Sequence, residues 1–382
     1  MQKLWTLIGA ALLVAGSVTL SSAAEPVKVG VILPLSGGSS IAGSEVIQGV
    51  KLAIEEVNAQ GGVLSGRQIE LVIEDDESSP TKGTMAARKL IESDGVVAII
   101  GTYNSAVSAT AMKVAAEHKV PMSSGGSTSV SVTNQNEPGN PWFFRAFPGS
   151  DEQGTQSAVD VIEVLGKKRL AILHDNSAYG KSLADTFEKV TVEAGAEILA
   201  KESYNAGEQD FYSVLSKLRA LEPEAVYMGG LVGDGANIVR QAAEIGLKAL
   251  FVGSGSMMTD KFIELAGPAS EGFAVSSMFE PNTTNDYGRA FAERYKTRWG
   301  VSANVHAALG YDSMTLVAKA IDRAGSTDGV AIRDALMKSD DVPLVQGPPG
   351  TMAKYDEIGG VSFKIGMAVV KDGKREMLPF NR

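Results

Sequence analysis

The chain has 382 residues, of which 44% are hydrophobic and 21% charged, and a formal net charge of −10. This ordinary globular balance leaves room for two medium domains and excludes a disordered chain. The acidic surplus argues against nucleic acid or an anionic membrane as the main partner, and the lack of cysteine excludes disulfides, thiol catalysis and a cysteine-linked lipid anchor.

Lys3, the apolar run Leu4 to Leu20 and the small residues Ser22-Ala23-Ala24 read as a leader over residues 1–24, cleaved after Ala24. An exported chain without a membrane anchor is expected in a periplasm. Val27, Val29 and Val31 alternate into Ile32 and Leu33, which predicts a first strand. After the small-residue loop Ser36 to Ser40, apolar residues at helical spacing run from Ile47 to Val57, and Gly61-Gly62 ends that helix. A strand at Ile69 to Ile73, a helix at 81–92, a strand at Val96 to Ile100, a helix from Ser105 to His118 and a strand from Val120 follow. Short connections between alternating strands and helices predict a mostly parallel sheet covered by helices.

The rhythm restarts after Pro148. Strands are expected at 170–173, 198–204, 225–228 and 250–252, with helices at 179–193, 210–220, 235–245 and 260–266. A charged helix is predicted at 285–299 and an alanine-rich one at 302–324, and Asp372-Gly373 marks a turn in a strand-like tail. The fold class is therefore α/β, two Rossmann-like units.

In such sheets ligands bind beyond the C-terminal ends of the strands, where helix N-termini offer free N–H groups. Two loops suit this, Gly101 to Ser105 and Ser123 to Thr128. Their glycines admit close approach and their hydroxyls donate hydrogen bonds. Tyr103, Tyr179 and Phe279 fall near strand ends or chain crossings, where each walls a cleft or packs the core. Nucleotide-binding motifs are missing, so no cofactor is expected. His118, His174 and His306 form no metal motif, and Asp75-Asp76-Glu77 reads as a solvated loop. Gly253 to Ser256 lacks the spacing of a nucleophile elbow, and nothing else suggests an enzyme.

The ordered series Val29-Gly30-Val31, Leu35-Ser36-Gly37, Ala53 to Asn58 with Gly61-Gly62, Ile100-Gly101, Pro121-Met122, Arg145, His174-Asp175 with Tyr179-Gly180, Asp210-Phe211, Gly229-Gly230 and Glu271-Gly272 resembles the periplasmic binding proteins of branched-chain amino acid transport systems, within the type I solute-binding fold. The resemblance implies two lobes joined by a three-segment hinge, with crossings near Phe147, Met278 and 342–345. One lobe would hold 25–147 plus 279–343, the other 148–278 plus 344–382. It implies a monomer that closes on its solute and docks on an inner-membrane ABC permease driven by a separate ATPase subunit. It also implies that Ser105, Ser127 and Thr128 hold the ligand carboxylate, that Tyr179 is a cleft tyrosine and that Ala42 belongs to the side-chain pocket.

The departures concern the ligand. Where amino acid binders of this type place an acidic partner for the ammonium, the matching position is Gly255, and an often aromatic position is Leu231. Asp234 or Glu280 is the candidate replacement. The missing acid, with Tyr103, Met257, Met258 and Phe279 to line the space, leads to the expectation of an aromatic carboxylate. The alternatives are a branched-chain or polar amino acid, and a ligand sensor that acts on a receptor or regulator.

Overall fold

The computed structural model describes residues 25–282 and 285–378, so the expected leader lies outside the described residues. In the first half the chain runs β1 (Val27–Leu33), α1 (Ser40–Ala59), β2 (Ile69–Asp75), α2 (Pro80–Arg88), β3 (Ala98–Gly101), α3 (Ser105–Glu117), β4 (Met122–Ser123), α4 (Val130–Thr133) and β5 (Phe143–Phe144). Its five strands are parallel in the order β2-β1-β3-β4-β5, with Val29 paired to both Leu71 and Ala98. Helices cover both faces, so β1 and β3 carry buried apolar residues on both sides.

The second half runs α5 (Ser150–Val159), β6 (Arg169–Asp175), α6 (Ala178–Glu193), β7 (Glu197–Tyr204), α7 (Tyr212–Leu221), β8 (Ala225–Gly229), α8 (Val232–Glu244), β9 (Leu250–Gly253), α9 (Asp260–Ala266) and β10 (Ala274–Ser277). Helices α10 (Asp286–Trp299), α11 (Val305–Ala324) and α12 (Gly329–Leu336) precede the hairpin β11 (Gly366–Lys371) and β12 (Lys374–Met377). The second sheet has the order β12-β11-β10-β9-β8-β6-β7 and is antiparallel only at β11 and β12. Two α/β lobes of the type I binding-protein fold result. The predicted elements were found, with α4, β5, α5, β10 and α12 added. The sequence signal of α5 is weak because the residues it buries include Ser150, Gln153, Gly154 and Ser157 rather than a leucine stripe.

Although α11 follows the second sheet's parallel strands in the chain, it packs on the first half against α1. The contact is backbone to backbone. A methyl on Gly49 would lie 1.9 Å from the Ala307 carbonyl oxygen, and one on Gly310 would lie 2.2 Å from that of Val46. The alanine-rich composition of α11 reflects its burial on nearly all sides.

The chain leaves the first sheet after Phe144 of β5 and leaves the parallel strands of the second after Ser277 of β10. The third crossing differs. Residues 344–361, expected in the second lobe, hydrogen-bond to the first. Val345 N–H donates to Asp312 Oδ1 at 3.0 Å, Asn285 Nδ2 donates to the Leu344 carbonyl at 3.1 Å, and Val361 N–H donates to the Arg145 carbonyl at 2.9 Å. Tyr355 sets its ring edge-on to Phe144 at 5.1 Å. This segment has too little periodicity to declare its partner, and its side is decided by the buried acceptors and rings it meets. The Asp75-Asp76 loop is also not simply solvated. Asp76 is fully buried, accepts the Ser78 N–H at 2.8 Å and is pushed up to about 7 by burial.

Two outcomes follow. Gly49→Ala forces α1 from α11 and is expected to lower Tm by roughly 5 °C in a calorimetric scan; an unchanged Tm would show that the helices part freely. Asp312 is buried, and desolvation pushes its carboxyl up to about 7 against the hydrogen bonds of Val345 and Gln346. A folded pKa above the unfolded one means stability that is present below about pH 4 and lost as pH rises through 7. Asp312→Asn keeps an oxygen for Val345, and Gln346 has an unpartnered Oε1 to offer the new amide. Its stability relative to wild type, measured by thermal melts, should therefore be higher at pH 8 than at pH 5 by on the order of 1 kcal/mol. The opposite order would refute the assignment.

Candidate functional site

A cavity of about 320 Å³ opens between the C-terminal ends of the two sheets. It is lined from the first half by Ser39, Tyr103, Asn104, Ser105, Gly126 and Thr128 and by Val305, His306 and Leu309 of α11. From the second half come Gln153, Asp175, Ser177, Tyr179, Gly207, Leu231, Asp234, Gly255 and Ser256, and the crossing residue Met278 joins them. The volume matches small-molecule sites, which span about 300–1,000 Å³. Among the described residues neither lysine nor arginine lines it.

The first-half wall is a donor surface. Asn104 precedes α3 but gives it no side-chain cap, and Ser105 and Ala106 of the first turn line the cavity. The positive end of the helix therefore faces the solute space. Ser105 Oγ accepts from Ser127 Oγ at 3.1 Å and from Ser129 N–H at 3.3 Å, so its own proton is free to point inward. Thr128 Oγ1 is buried without a partner. Ser127 does not line the cavity and instead orients Ser105 from behind. Ser124 shapes this loop by accepting from Ser127 N–H at 2.9 Å and Gly126 N–H at 3.2 Å. Gly126 is required because a Cβ there would fall 2.3 Å from the Tyr103 ring.

Tyr103 is anchored by a chain that the sequence did not reveal. Its hydroxyl lies 3.0 Å from His306 Nε2, and His306 Nδ1 lies 2.7 Å from Glu45 Oε2. A carboxylate only accepts, so Nδ1 carries the proton, and in the neutral ring Nε2 accepts from the phenol. His306 and Glu45 are joined by the packing of α11 on α1, which no local motif announces.

The second-half wall is an acceptor surface. Asp234, in the first turn of α8, accepts the Gly207 N–H at 3.2 Å on both oxygens, and burial pushes its carboxyl up to about 6. Asp175 at the end of β6 is fully buried. Its Oδ1 accepts the Ser177 N–H at 2.9 Å and the Ser177 hydroxyl, and its Oδ2 has no partner. Burial raises its carboxyl as well. Nearby, the Tyr204 hydroxyl is buried and unpartnered; a Cβ on Gly230 would meet it at 2.1 Å and Asp175 Oδ2 at 3.7 Å. Gln153 Nε2 donates to the Pro148 carbonyl at 3.0 Å, which leaves the buried Gln153 Oε1 without a partner. That oxygen lies 3.3 Å from where a Gly255 side chain would begin.

Tyr103, Ser105, Thr128, Tyr179, Leu231, Asp234 and Gly255 are thus brought together. Ala42 faces the core of the first half instead of the cavity. Phe279 is buried edge-on against Phe291 at 5.6 Å, and Met257 and Met258 are core residues, Met257 filling the space beside Gly235 and Gly253. Met278 takes the lining place expected for them. Glu280 is bonded to Arg375 Nε at 2.7 Å and is spent there. His174 turns Nδ1 to the Asp175 carbonyl at 2.7 Å and does not line the cavity. Among the described residues no group of three His, Asp or Glu side chains could hold a metal, and no helix is long and apolar enough to cross a membrane.

The family model of periplasmic binding proteins matches residues 26–374. A Leu/Ile/Val-binding protein homolog of Brucella suis biovar 1 is 32% identical over 339 residues, 88% of each chain. A leucine-, isoleucine-, valine-, threonine- and alanine-binding protein of Pseudomonas aeruginosa is 29% identical over 92% of this chain and 91% of its own. Among solved structures, a leucine-binding protein of Thermotoga maritima MSB8 superposes with a TM-score of 0.85 at 31% identity, covering 92% of this chain and 98% of that one. A solute-binding protein of R. palustris in complex with benzoate reaches 0.84 at 23% identity over 92% and 95%, a likeness of fold alone. The chain belongs to the periplasmic binding protein family, as an extracytoplasmic solute-binding component of an ABC importer that holds its solute without breaking a bond.

Proposed function

We propose that the solute is an α-amino acid, branched-chain or polar, held as a zwitterion between the two walls. The observation that carries this reading is the charge pattern of the cavity: a helix N-terminus with hydroxyl donors on one side, two carboxylates on the other, and no lysine or arginine among the described residues that line it. The ligand carboxylate meets the Ser105 and Thr128 hydroxyls and the first amides of α3, which need no buried lysine to hold it. The ammonium meets Asp234, whose place in α8 compensates for the glycine at 255. Tyr103, Leu231, Met278 and Leu309 supply apolar wall for the side chain.

The aromatic carboxylate expected from Gly255 and Leu231 is not supported. A monoanion without an ammonium would leave Asp175 and Asp234 buried and uncompensated. The relatives from Brucella suis, Pseudomonas aeruginosa and Thermotoga maritima, all above 25% identity, are named for leucine, isoleucine, valine, threonine or alanine. Transport then follows the family pattern, with an ABC permease and its ATPase as the partners. The lobes meet around the solute, which both walls touch, so capture and closure are one event.

Calorimetric titration of ligand-free protein with the protein amino acids and with benzoate tests this reading. An amino acid should bind and benzoate should not; benzoate alone binding would overturn it. The ammonium favours ionised Asp234, so affinity should rise as pH increases through 6 and level off above about 7, with proton release on binding near pH 6. Asp234→Asn should weaken the best amino acid about 30-fold at pH 7.5 and flatten this profile. A wild-type affinity that does not change between pH 5 and pH 8 would remove Asp234 from the role. Ser105→Ala should weaken the same ligand about tenfold, and because it also strands the buried Ser129 N–H it should lower the melting temperature of the ligand-free protein by roughly 3 °C.

A further inference from the structure

Glu45 does not line the cavity, yet it ends a chain of hydrogen bonds that does. It lies on α1 and keeps 19% of its side-chain surface exposed, while His306 on α11 is 1% exposed and links Glu45 to Tyr103. Both His306 and Tyr103 line the solute space. The frame around the link is stiff. Val46, next to Glu45, and Ala307, next to His306, are the residues at which α1 and α11 meet backbone to backbone, against Gly310 and Gly49. Those contacts fix the carboxylate relative to the imidazole, as a site carried on packed helices requires.

The Tyr103 ring is confined on both sides. A Cβ on Gly126 would fall 2.3 Å from it, and His306 meets it edge-on with ring centroids 5.3 Å apart. Among the described residues the Tyr103 hydroxyl has no hydrogen-bond partner other than His306 Nε2. For the phenol to donate there, the imidazole proton has to sit on Nδ1, where Glu45 accepts it. Without the carboxylate the neutral ring is free to carry its proton on Nε2. The imidazole then loses the contact that orients its plane, and the phenol has to turn its own proton away. We propose that Glu45 is a positioning residue for the solute: through the tautomer and tilt of His306 it fixes the Tyr103 wall, and so the affinity of the cavity. A carboxylate behind a histidine acts in this way when it holds the ring for a site in front. This inference rests on the reading of the cavity as the solute site and adds to it a residue that touches no solute.

The test is a double-mutant cycle, read by calorimetric titration of the ligand-free full mature chain at pH 7.5 with the protein amino acids and benzoate as probes. Glu45→Met keeps the length of the side chain and removes the acceptor. It should weaken the tightest probe about fivefold, and less than about twofold once Tyr103→Phe has removed the hydroxyl. Glu45→Gln keeps an oxygen for Nδ1–H and should bring the affinity back to within about twofold of wild type. Heteronuclear NMR of the imidazole rings adds a readout that needs no ligand. The chain has three histidines, and the His306 signal is assigned by its loss in His306→Gln. At pH 8 that ring should carry its proton on Nδ1 in the wild type and lose this preference in Glu45→Met. Equal weakening with and without the Tyr103 hydroxyl would make Glu45 merely structural and overturn the proposal; so would a wild-type ring protonated on Nε2, or no recovery in Glu45→Gln. Should Glu45→Met not fold, Glu45→Ala is read through the same cycle. Benzoate as the only ligand overturns the amino acid reading, and the cycle is then read with benzoate, so the two fail separately.

Discussion

A helix that begins without a side-chain cap leaves N–H groups in need of an acceptor, and the first turn of α3 is such a beginning at the wall of a cavity. The remainder of the site follows from that need. Ser127 and Ser129 occupy the lone pairs of Ser105, so the Ser105 proton points to the same place as the helix dipole. Thr128 brings another unpartnered hydroxyl to it. A carboxylate is the group that answers all of these donors at once, and it does so without a buried cation.

The opposite wall has the complementary problem. Glycine at 255 leaves no side chain there, and the carboxyls that line the cavity come from α8 at Asp234 and β6 at Asp175. Burial raises both carboxyls, which makes them sensitive to whatever positive group enters. The space beside Gly255 is faced by a neutral amide oxygen, Gln153 Oε1, and by the Met278 methyl.

Residues 344–361 are fastened to the first half by buried hydrogen bonds. Asp312 in the middle of α11 holds Val345 and Gln346, Asn285 holds the Leu344 carbonyl, and Arg145 exchanges backbone hydrogen bonds with Gly359 and Val361. The same helix that brings His306 and Leu309 to the cavity therefore also grips the third chain segment between the lobes.

The alternation of apolar strands and periodic helices was enough to place nearly every element, because burial on both faces of a parallel sheet writes itself locally into sequence. The glycine- and serine-rich loops at 101–105 and 123–128 were legible for the same reason: helix N-termini and strand ends have local signatures. What the sequence left open depended on neighbours far apart in the chain. His306 joins Glu45 across 261 positions, residues 344–361 choose the first half over the second, and Phe279 and Ala42 turn to the core while Met278 turns to the solute. The proposed cargo changed for this reason too. Gly255 alone suggests a lost ammonium partner, and only the folded cavity brings Asp175 and Asp234, from a separate strand and helix, to its lining. By itself the sequence determined the fold and marked the two loops of the first wall, since both rest on short-range pattern; the tertiary structure decided what faces them, since the energy of a buried charge depends on what surrounds it in space.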